Sequence, residues 1–356
     1  MAETLDHYYA LIMAGGGGTR LWPLSRRDRP KQVLPLTEER TMFEVTVARL
    51  SDLFPPDRIY VVTGLELAGP LHESAPQLPV NNFIMEPEAR DSGPAAGLGT
   101  FRIASLDPEA VIAVLSADHH IAHESRFVRA LRCAYGYANE GKIVTLGIKP
   151  SYPATGFGYI QRGERLGKCE EFEIFQSKRF TEKPDEATAT SFVSAGTYSW
   201  NAGMFIWKAR QALAEFEQQQ PDMYNILKKI TDVPDDAAWR SINKKSLDYA
   251  IMENAKDVVV MPVDIGWSDV GTWATLFEVL AHDAHGNVIQ SKSSNHIQLD
   301  THNTLIVSER MVVTIGIDNL VIVDTDDVLL ICHTDRAQDV RDVVRQLKER
   351  GMDTHL

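Results

Sequence analysis

The stretch AGGGGTRLWPLSRRDRPKQ, residues 14–32, sets four consecutive glycines, Gly15, Gly16, Gly17 and Gly18, beside Arg20, Arg26, Arg27, Arg29 and Lys31. A run without side chains lets backbone N–H groups approach an anion or a flat base closely, and the cations would neutralise the anion. The glycines fit neither familiar phosphate loop. A dinucleotide fingerprint requires G-x-G-x-x-G, and no alignment of Gly15 to Gly18 supplies the third glycine. A Walker A loop requires Gly-Lys followed by Ser or Thr, and this region has no Gly-Lys pair. A tight turn would account for the glycines alone, but not for the cations gathered around them.

Other residues with chemical potential are scattered. Asp118 ends the apolar run AVIAVLSAD, and Asp269 follows the run VVVMPV in a loop. Each suits a turn or cap; each also suits a hard cation held in a crevice at the carboxyl ends of strands. His119 and His123 share the spacing of one helical face. They lack a third ligand and the glutamate of H-E-x-x-H, so zinc is not expected. There is no Gly-x-Ser-x-Gly elbow and no evident Ser-His pairing, which argues against a serine nucleophile.

These residues need a framework. Short apolar runs, YYALIMA, RIYVVTG, NNFIM and AVIAVLSAD, alternate with amphipathic stretches, including a helix over PAAGLGTFRIASL. Such alternation predicts βαβ units and a largely parallel sheet. Thr41 and Glu44 have the spacing of a capping box and place a helix start near residue 42. After KIVTLGIKP the sequence becomes rich in strands and loops, followed by helical sequence from about 209 to 256. From HDAHGN onward, NTLIVS, MVVTIGI, LVIVDT and VLLICH are closely spaced strands of a small β domain. A last helix after Thr334 carries the stripe Val340, Val343, Val344 and Leu347, packed on its own domain, with Gly351 as its stop.

At 356 residues the chain exceeds one ordinary domain. Its 44% hydrophobic and 24% charged content is that of a globular protein, not of a disordered one. A formal charge of −13 argues against non-specific binding to nucleic acid or anionic membrane. It does not bar an anionic ligand, because screening over about 8 Å leaves a phosphate under the control of nearby cations. The acidic N-terminus and its short apolar run lack the form of a signal peptide, so a cytoplasmic protein is expected. Cys133, Cys169 and Cys332 are odd in number and far apart, and are expected to be buried free thiols.

The glycine–cation stretch resembles the signature of the sugar-nucleotide pyrophosphorylases, a family of nucleotidyltransferases, and its LWPLS and PKQ parts are most similar to the guanylyltransferases of mannose-1-phosphate. Further segments fall in that family's order: EPEARDSGPAA, LSADHHI, TGFGYI, FTEKP, WNAGMF and WSDVGTW. The resemblance covers nearly the whole chain. It implies a Rossmann-like α/β fold with a mixed, mainly parallel sheet over residues 1–284, and a small left-handed β-helix-like domain over 285–356 that often makes dimer contacts. Longer members carry an isomerase domain that this chain would not accommodate, so no isomerase activity is expected.

The reaction so implied is attack of a sugar-1-phosphate oxygen on the α-phosphorus of a nucleoside triphosphate. That oxygen is already anionic, its second pKa lying near ~6, so no general base is needed. Charge neutralisation and alignment then carry the catalysis. Arg20 is placed to grip the leaving phosphates and Lys31 to meet charge at the α-phosphoryl. For Arg26, Arg27 and Arg29, ligand contact and solvated surface charge are both open. The resemblance implies that Asp118 and Asp269 hold Mg2+ or another divalent cation such as Mn2+. It also implies that Ala14, Gly15–Gly18, Arg90, Asp91 and Ser92 bind the nucleotide, and that Gly158, Glu182, Lys183 and Asn201 bind the sugar phosphate. Asp91 and Ser92 depart from the Arg-Asn-Thr common in guanylyltransferases; an aspartate there would accept two hydrogen bonds from guanine. The expected substrates are GTP and mannose-1-phosphate, the product GDP-mannose, and the assembly a homodimer. The alternatives are another sugar-1-phosphate or base, such as glucose-1-phosphate or UTP, or a regulator that binds a sugar nucleotide without turnover.

Overall fold

The computed structural model describes residues 5–230, 236–291 and 296–356. Their contacts gather into two units, the first comprising the described residues up to Gly15, Thr46–Ala117 and Ile121–Trp267, the second Gly16–Val45, Asp118–His120 and Ser268–Leu356.

In the first unit nine strands make one sheet. The order is Phe83–Glu86, Ile59–Gly64, Tyr8–Ala14, Val111–Ser116, Tyr198–Lys208, Ile143–Ile148, Val258–Val263, Phe172–Thr181 and Tyr159–Cys169. Tyr8–Ala14 pairs in parallel with both neighbours, and its Ala10, Leu11 and Ile12 are fully buried, as a strand covered on both faces demands. Tyr198–Lys208 runs antiparallel between Val111–Ser116 and Ile143–Ile148, which makes the otherwise parallel block mixed. Ala14 is opposite Thr63 and Thr63 opposite Met85, so the strand ends at Ala14, Gly64 and Glu86 share one carboxyl edge. Helix Ser92–Leu106 packs its Ala95, Ala96, Leu98 and Ile103 into the main apolar core.

In the second unit Val288–Gln290, Leu305–Val307 and Leu320–Asp324 stack in parallel, with Val288 opposite Leu305 and Leu305 opposite Val321. A second parallel ladder pairs Ile297–His302 with Val313–Asp318. Two parallel ladders built by successive turns of one chain are a β-helix-like arrangement. Its interior residues Val288, Leu305, Val321 and Val323 pack with Leu21, Trp22, Trp273, Val340, Val344 and Leu347. The last helix is Val340–Glu349, and Gly351 beyond it takes φ +66°. Val343, expected in the apolar stripe, is 38% exposed; the stripe is narrower than its spacing implied.

The capping box at Thr41 and Glu44 is present in both directions, at 2.7 and 3.1 Å. The helical sequence from about 209 to 256 forms Ala209–Gln219, Pro221–Leu227, Asp236–Ser241 and a π-helical turn Asp248–Met252, with Pro221 restarting the chain after the first piece; residues 231–235 of that span lie outside the described ones. One expectation is corrected. Cys133 and Cys169 are not free thiols but a disulfide, their Cα atoms 5.8 Å apart. Helix Glu124–Asn139 and the end of strand Tyr159–Cys169 meet only in the folded chain, so no spacing in the sequence announces the pair. Cys332 is free, and burial pushes its thiol pKa up. Among the described residues no helix is long and apolar enough to cross a membrane.

Candidate active site

In the second unit the glycine loop is tied down by its carbonyls. Gln32 Nε2 donates to Gly16 O at 3.2 Å, Ser25 Oγ to Gly17 O at 2.6 Å and Leu21 N to Gly18 O at 2.9 Å. Among the described residues the N–H groups of Gly16, Gly17 and Gly18 donate to nothing. Gly16 and Gly18 take φ +92° and +56°, and a Cβ on Gly16 would meet no atom within 4 Å. Carbonyls bonded within the protein and N–H groups without a partner among the described residues, with positive φ in the run, are features that a backbone anion site requires. Gly18 has a second reason to be glycine: a Cβ there would lie 2.6 Å from Lys31 Cβ.

Beside this loop Lys31, only 5% exposed, donates from Nζ to Asp118 Oδ2 at 2.9 Å and to the Asp269 carbonyl at 2.6 Å. Burial raises the Asp118 carboxyl, but the Lys31 ammonium, with His119, outweighs it and holds Asp118 below the usual carboxylate range. Asp269 spends Oδ1 on the N–H of Gly271 at 3.1 Å. Its Oδ2 and Arg20 Nη2 both converge on Gly271, at 2.4 and 3.0 Å from where a Cβ would stand. Arg20 makes no ion pair among the described residues. Arg20, Lys31, Asp118 and Asp269 are thus gathered beside the glycine loop from four separate positions in the chain.

Arg26, by contrast, is committed elsewhere: its guanidinium forks onto Asp327 at 3.2 and 2.8 Å and its Nε donates to Pro23 O. Arg27 stands 3.9 Å from Asp353 with both side chains largely exposed.

The sugar-phosphate candidates form a cluster in the first unit. Asn201 N donates to Gly158 O at 2.8 Å, and a Cβ on Gly158 would lie 2.4 Å from Glu182 Oε2, so the carboxylate occupies the space a side chain would fill. Glu182 is 5% exposed, Oε1 bonds Lys183 Nζ, and Oε2 is buried without a partner. Burial lowers the Lys183 pKa, but Glu182 more than reverses this and leaves it raised. Asp248, which sequence reasoning missed, accepts from Asn201 Nδ2 at 2.7 Å. Burial and the Glu182 charge push its carboxyl up to about 6. Its only sequence signal is an aspartate inside LDYAIM, indistinguishable from a surface helix residue.

The nucleotide candidates of the first unit do not all face outward. Ala14 O accepts from Thr63 Oγ1 at 2.8 Å. Arg90 pairs with Glu88. Asp91 takes φ 72° and ψ 175°, a region nearly confined to glycine, and turns Oδ1 onto the Ser92 N–H at 2.7 Å. Ser92 Oγ accepts from Leu247 N at 2.9 Å. Nearby Glu86, also missed, is 6% exposed with Oε1 unpartnered, and burial with the Asp91 charge pushes it up to about 7.

Among the described residues no group of three or more His, Cys, Asp or Glu could hold a metal. A hard cation that takes two carboxylates and completes its shell with phosphate and water needs no such group, and Asp118 with the uncommitted Oδ2 of Asp269 fits it.

A family model described as nucleotidyl transferase matches residues 9–286, and one described as MannoseP isomerase/GMP-like beta-helix domain matches 294–347. The chain is 39% identical, over 98% of its length and 75% of the relative's, to mannose-1-phosphate guanylyltransferase of Escherichia coli K12. It is 38% identical to the xanthan biosynthesis protein XanB of Xanthomonas campestris, over 96% of this chain and 73% of that one. A crystal structure from Thermus thermophilus, described as a mannose-1-phosphate geranyltransferase, superimposes with a TM-score of 0.87 at 34% identity, covering 96% of this chain and 99% of that one.

Proposed function

The chain belongs to the nucleotidyltransferase family, and from that premise we propose that it transfers GMP from GTP to mannose-1-phosphate, forming GDP-mannose and releasing pyrophosphate. The observation that carries the reading is Lys31 joining Asp118 to the Asp269 backbone, beside a glycine run with positive φ at Gly16 and Gly18 and an Arg20 that makes no ion pair among the described residues. These are the parts that phosphoryl chemistry needs. A phosphate oxygen of mannose-1-phosphate bonds to the α-phosphorus as the bond to the β-phosphate oxygen breaks, and the electron pair leaves with pyrophosphate. No proton has to move.

In this reading the N–H groups of Gly16, Gly17 and Gly18 with the Arg20 guanidinium hold the leaving phosphates. Lys31, with two of its three donors spent on protein, keeps one for the α-phosphoryl. Asp118 and Asp269 would hold Mg2+ or Mn2+, which supplies charge neutralisation at the phosphates when bound. Ala14 and Gly15, with Arg90, Asp91 and Ser92, border the nucleotide; Gly158, Glu182, Lys183 and Asn201 bind the sugar phosphate. Residues 1–284 are the catalytic domain and 285–356 the β-helix-like domain, a division supported by the two family matches.

We read the protein as a homodimer in the cytoplasm. Support for the dimer is an apolar face on the paired strands Ile297–His302 and Val313–Asp318, where Ile297, Leu299, Val313 and Ile315 are 46%, 54%, 51% and 66% exposed.

The test is pyrophosphate release across GTP, ATP, UTP and dTTP against mannose-1-phosphate and glucose-1-phosphate, with Mg2+ and with chelator. Release that is fastest for GTP with mannose-1-phosphate and lost on chelation is expected. Equal rates with all four nucleotides would sink the guanine assignment, and no release with any pair would favour a non-catalytic binder.

A further inference from the structure

Asn201 is held at both ends of its amide. Oδ1 accepts from Gly203 N at 3.0 Å and from Thr145 Oγ1 at 3.4 Å, while Nδ2 donates to Asp248 Oδ1 at 2.7 Å. Two donors at one end and a carboxylate at the other fix the amide orientation. One Nδ2 hydrogen is spent on Asp248, and the second is left for a ligand.

The same cluster holds the buried, unpartnered Oε2 of Glu182. Asp248 itself stands in the π-helical turn Asp248–Met252, an element that is rare in proteins and frequent at functional sites. The segment leading to it is pinned, since Leu247 N donates to Ser92 Oγ at 2.9 Å and Gly93 N to Lys245 O at 3.1 Å. These two bonds tie the segment before Asp248 to the start of helix Ser92–Leu106.

A sugar hydroxyl both donates and accepts. Glu182 Oε2 supplies an acceptor, Asn201 Nδ2 a donor, and the second oxygen of Asp248 another acceptor. We infer that Asp248 is a specificity-determining residue of the sugar subsite, orienting the Asn201 amide and, with Glu182, reading two neighbouring hydroxyls of a hexose phosphate. An epimer that moves one of those hydroxyls to the other ring face leaves a buried acceptor unpaired, which is the strongest form of discrimination a polar site offers. This inference rests on the sugar-nucleotide reading and adds to it a residue that selects the sugar.

Asp248→Asn keeps the shape and, through its amide oxygen, the bond from Asn201 Nδ2, but turns the second oxygen, the acceptor offered to the sugar, into a donor. The expected result is a fall of about 10- to 100-fold in kcat/KM for mannose-1-phosphate, carried by KM for the sugar. The preference over glucose-1-phosphate should shrink by a similar factor, and KM for GTP should stay within about twofold. The double variant Asn201→Asp with Asp248→Asn restores a carboxylate–amide bond across the pair but removes the Asn201 hydrogen offered to the ligand. It should match the thermal stability of Asp248→Asn without recovering selectivity. An unchanged mannose-to-glucose ratio in Asp248→Asn, or full recovery of the ratio in the double variant, would overturn the inference. Wild-type protein that releases no pyrophosphate from GTP and mannose-1-phosphate would instead overturn the function. In that case calorimetric Kd values of mannose-1-phosphate and glucose-1-phosphate, for wild type and Asp248→Asn, decide the inference by the same ratio.

Discussion

Lys31 donates to Asp118 at 2.9 Å across 87 positions of the chain, joining the cationic loop to an aspartate beyond the strand Val111–Ser116. The ion pair is mostly enclosed on the lysine side and open on the other, with Asp118 26% exposed. Replacing the lysine therefore frees a carboxylate that water can still reach, and the main loss falls on function.

Lys31→Met should reduce turnover about 10²- to 10³-fold, the usual cost of one electrostatic stabiliser. Because the native Asp118 carboxyl is depressed, it contributes stability that is present above its unfolded pKa and lost as pH falls through the folded one. Urea unfolding of the wild type should weaken below about pH 4. In Lys31→Met the Asp118 share of that acid loss should vanish; identical acid profiles for the two proteins would contradict the pairing.

Glu86 has the opposite sign. Its carboxyl is pushed from 4.5 up to about 7, so the native state holds a proton that the unfolded chain releases. The Glu86 contribution to stability is fully present below about pH 4.5 and is lost by about pH 7, an amount on the order of 3 kcal/mol. Glu86→Gln removes this decline. The melting temperature of the variant relative to wild type should be higher at pH 8 than at pH 5, and a difference that does not change with pH would refute the account.

Gly271→Ala places a methyl 2.4 Å from Asp269 Oδ2 and 3.0 Å from Arg20 Nη2. The near atoms are ends of side chains, which can swing aside, so the fold should survive with a destabilisation of about 1 kcal/mol. The displaced groups are those proposed to hold metal and phosphate, and kcat should drop more than about 10-fold. Calorimetry beside steady-state kinetics checks this; activity falling only in step with stability would count against the placement of Arg20 and Asp269.

Leu299→Glu combined with Ile315→Glu charges the exposed apolar ladder, where these residues are cross-strand partners. Sedimentation velocity at micromolar concentration should show a wild-type dimer and a monomeric variant of unchanged melting temperature. A monomeric wild type would remove the dimer reading.

Much of the framework is legible locally. The runs YYALIMA, RIYVVTG and AVIAVLSAD form Tyr8–Ala14, Ile59–Gly64 and Val111–Ser116, because runs this short, apolar on both faces and bounded by turn residues, suit a doubly covered strand. The Thr41–Glu44 box forms because both partners lie within one helical turn. The glycine–cation loop is legible for the same reason: its composition and spacing are properties of neighbours.

What the sequence does not disclose depends on partners far along the chain. Asp91 has the chemistry of a guanine acceptor, yet its Oδ1 turns onto Ser92 N, a choice set by the backbone entering helix Ser92–Leu106. Arg26 looks equal to Arg20 until Asp327, 301 positions away, claims it. Cys133 and Cys169 look like free thiols until a helix and a strand end bring them together.

The alternation of strands and helices, the glycine–cation composition of residues 14–32 and the family are therefore all readable in the chain order alone. Tertiary structure decided which charged groups are free and which are spent: Arg20 free of ion pairs among the described residues, Arg26 paired, Glu182 Oε2 waiting, Asp248 bound to Asn201. The physical reason is range. Backbone preference and apolar periodicity act over a few residues, whereas the state of a charge depends on burial and on neighbours within about 4–6 Å, and folding alone chooses those.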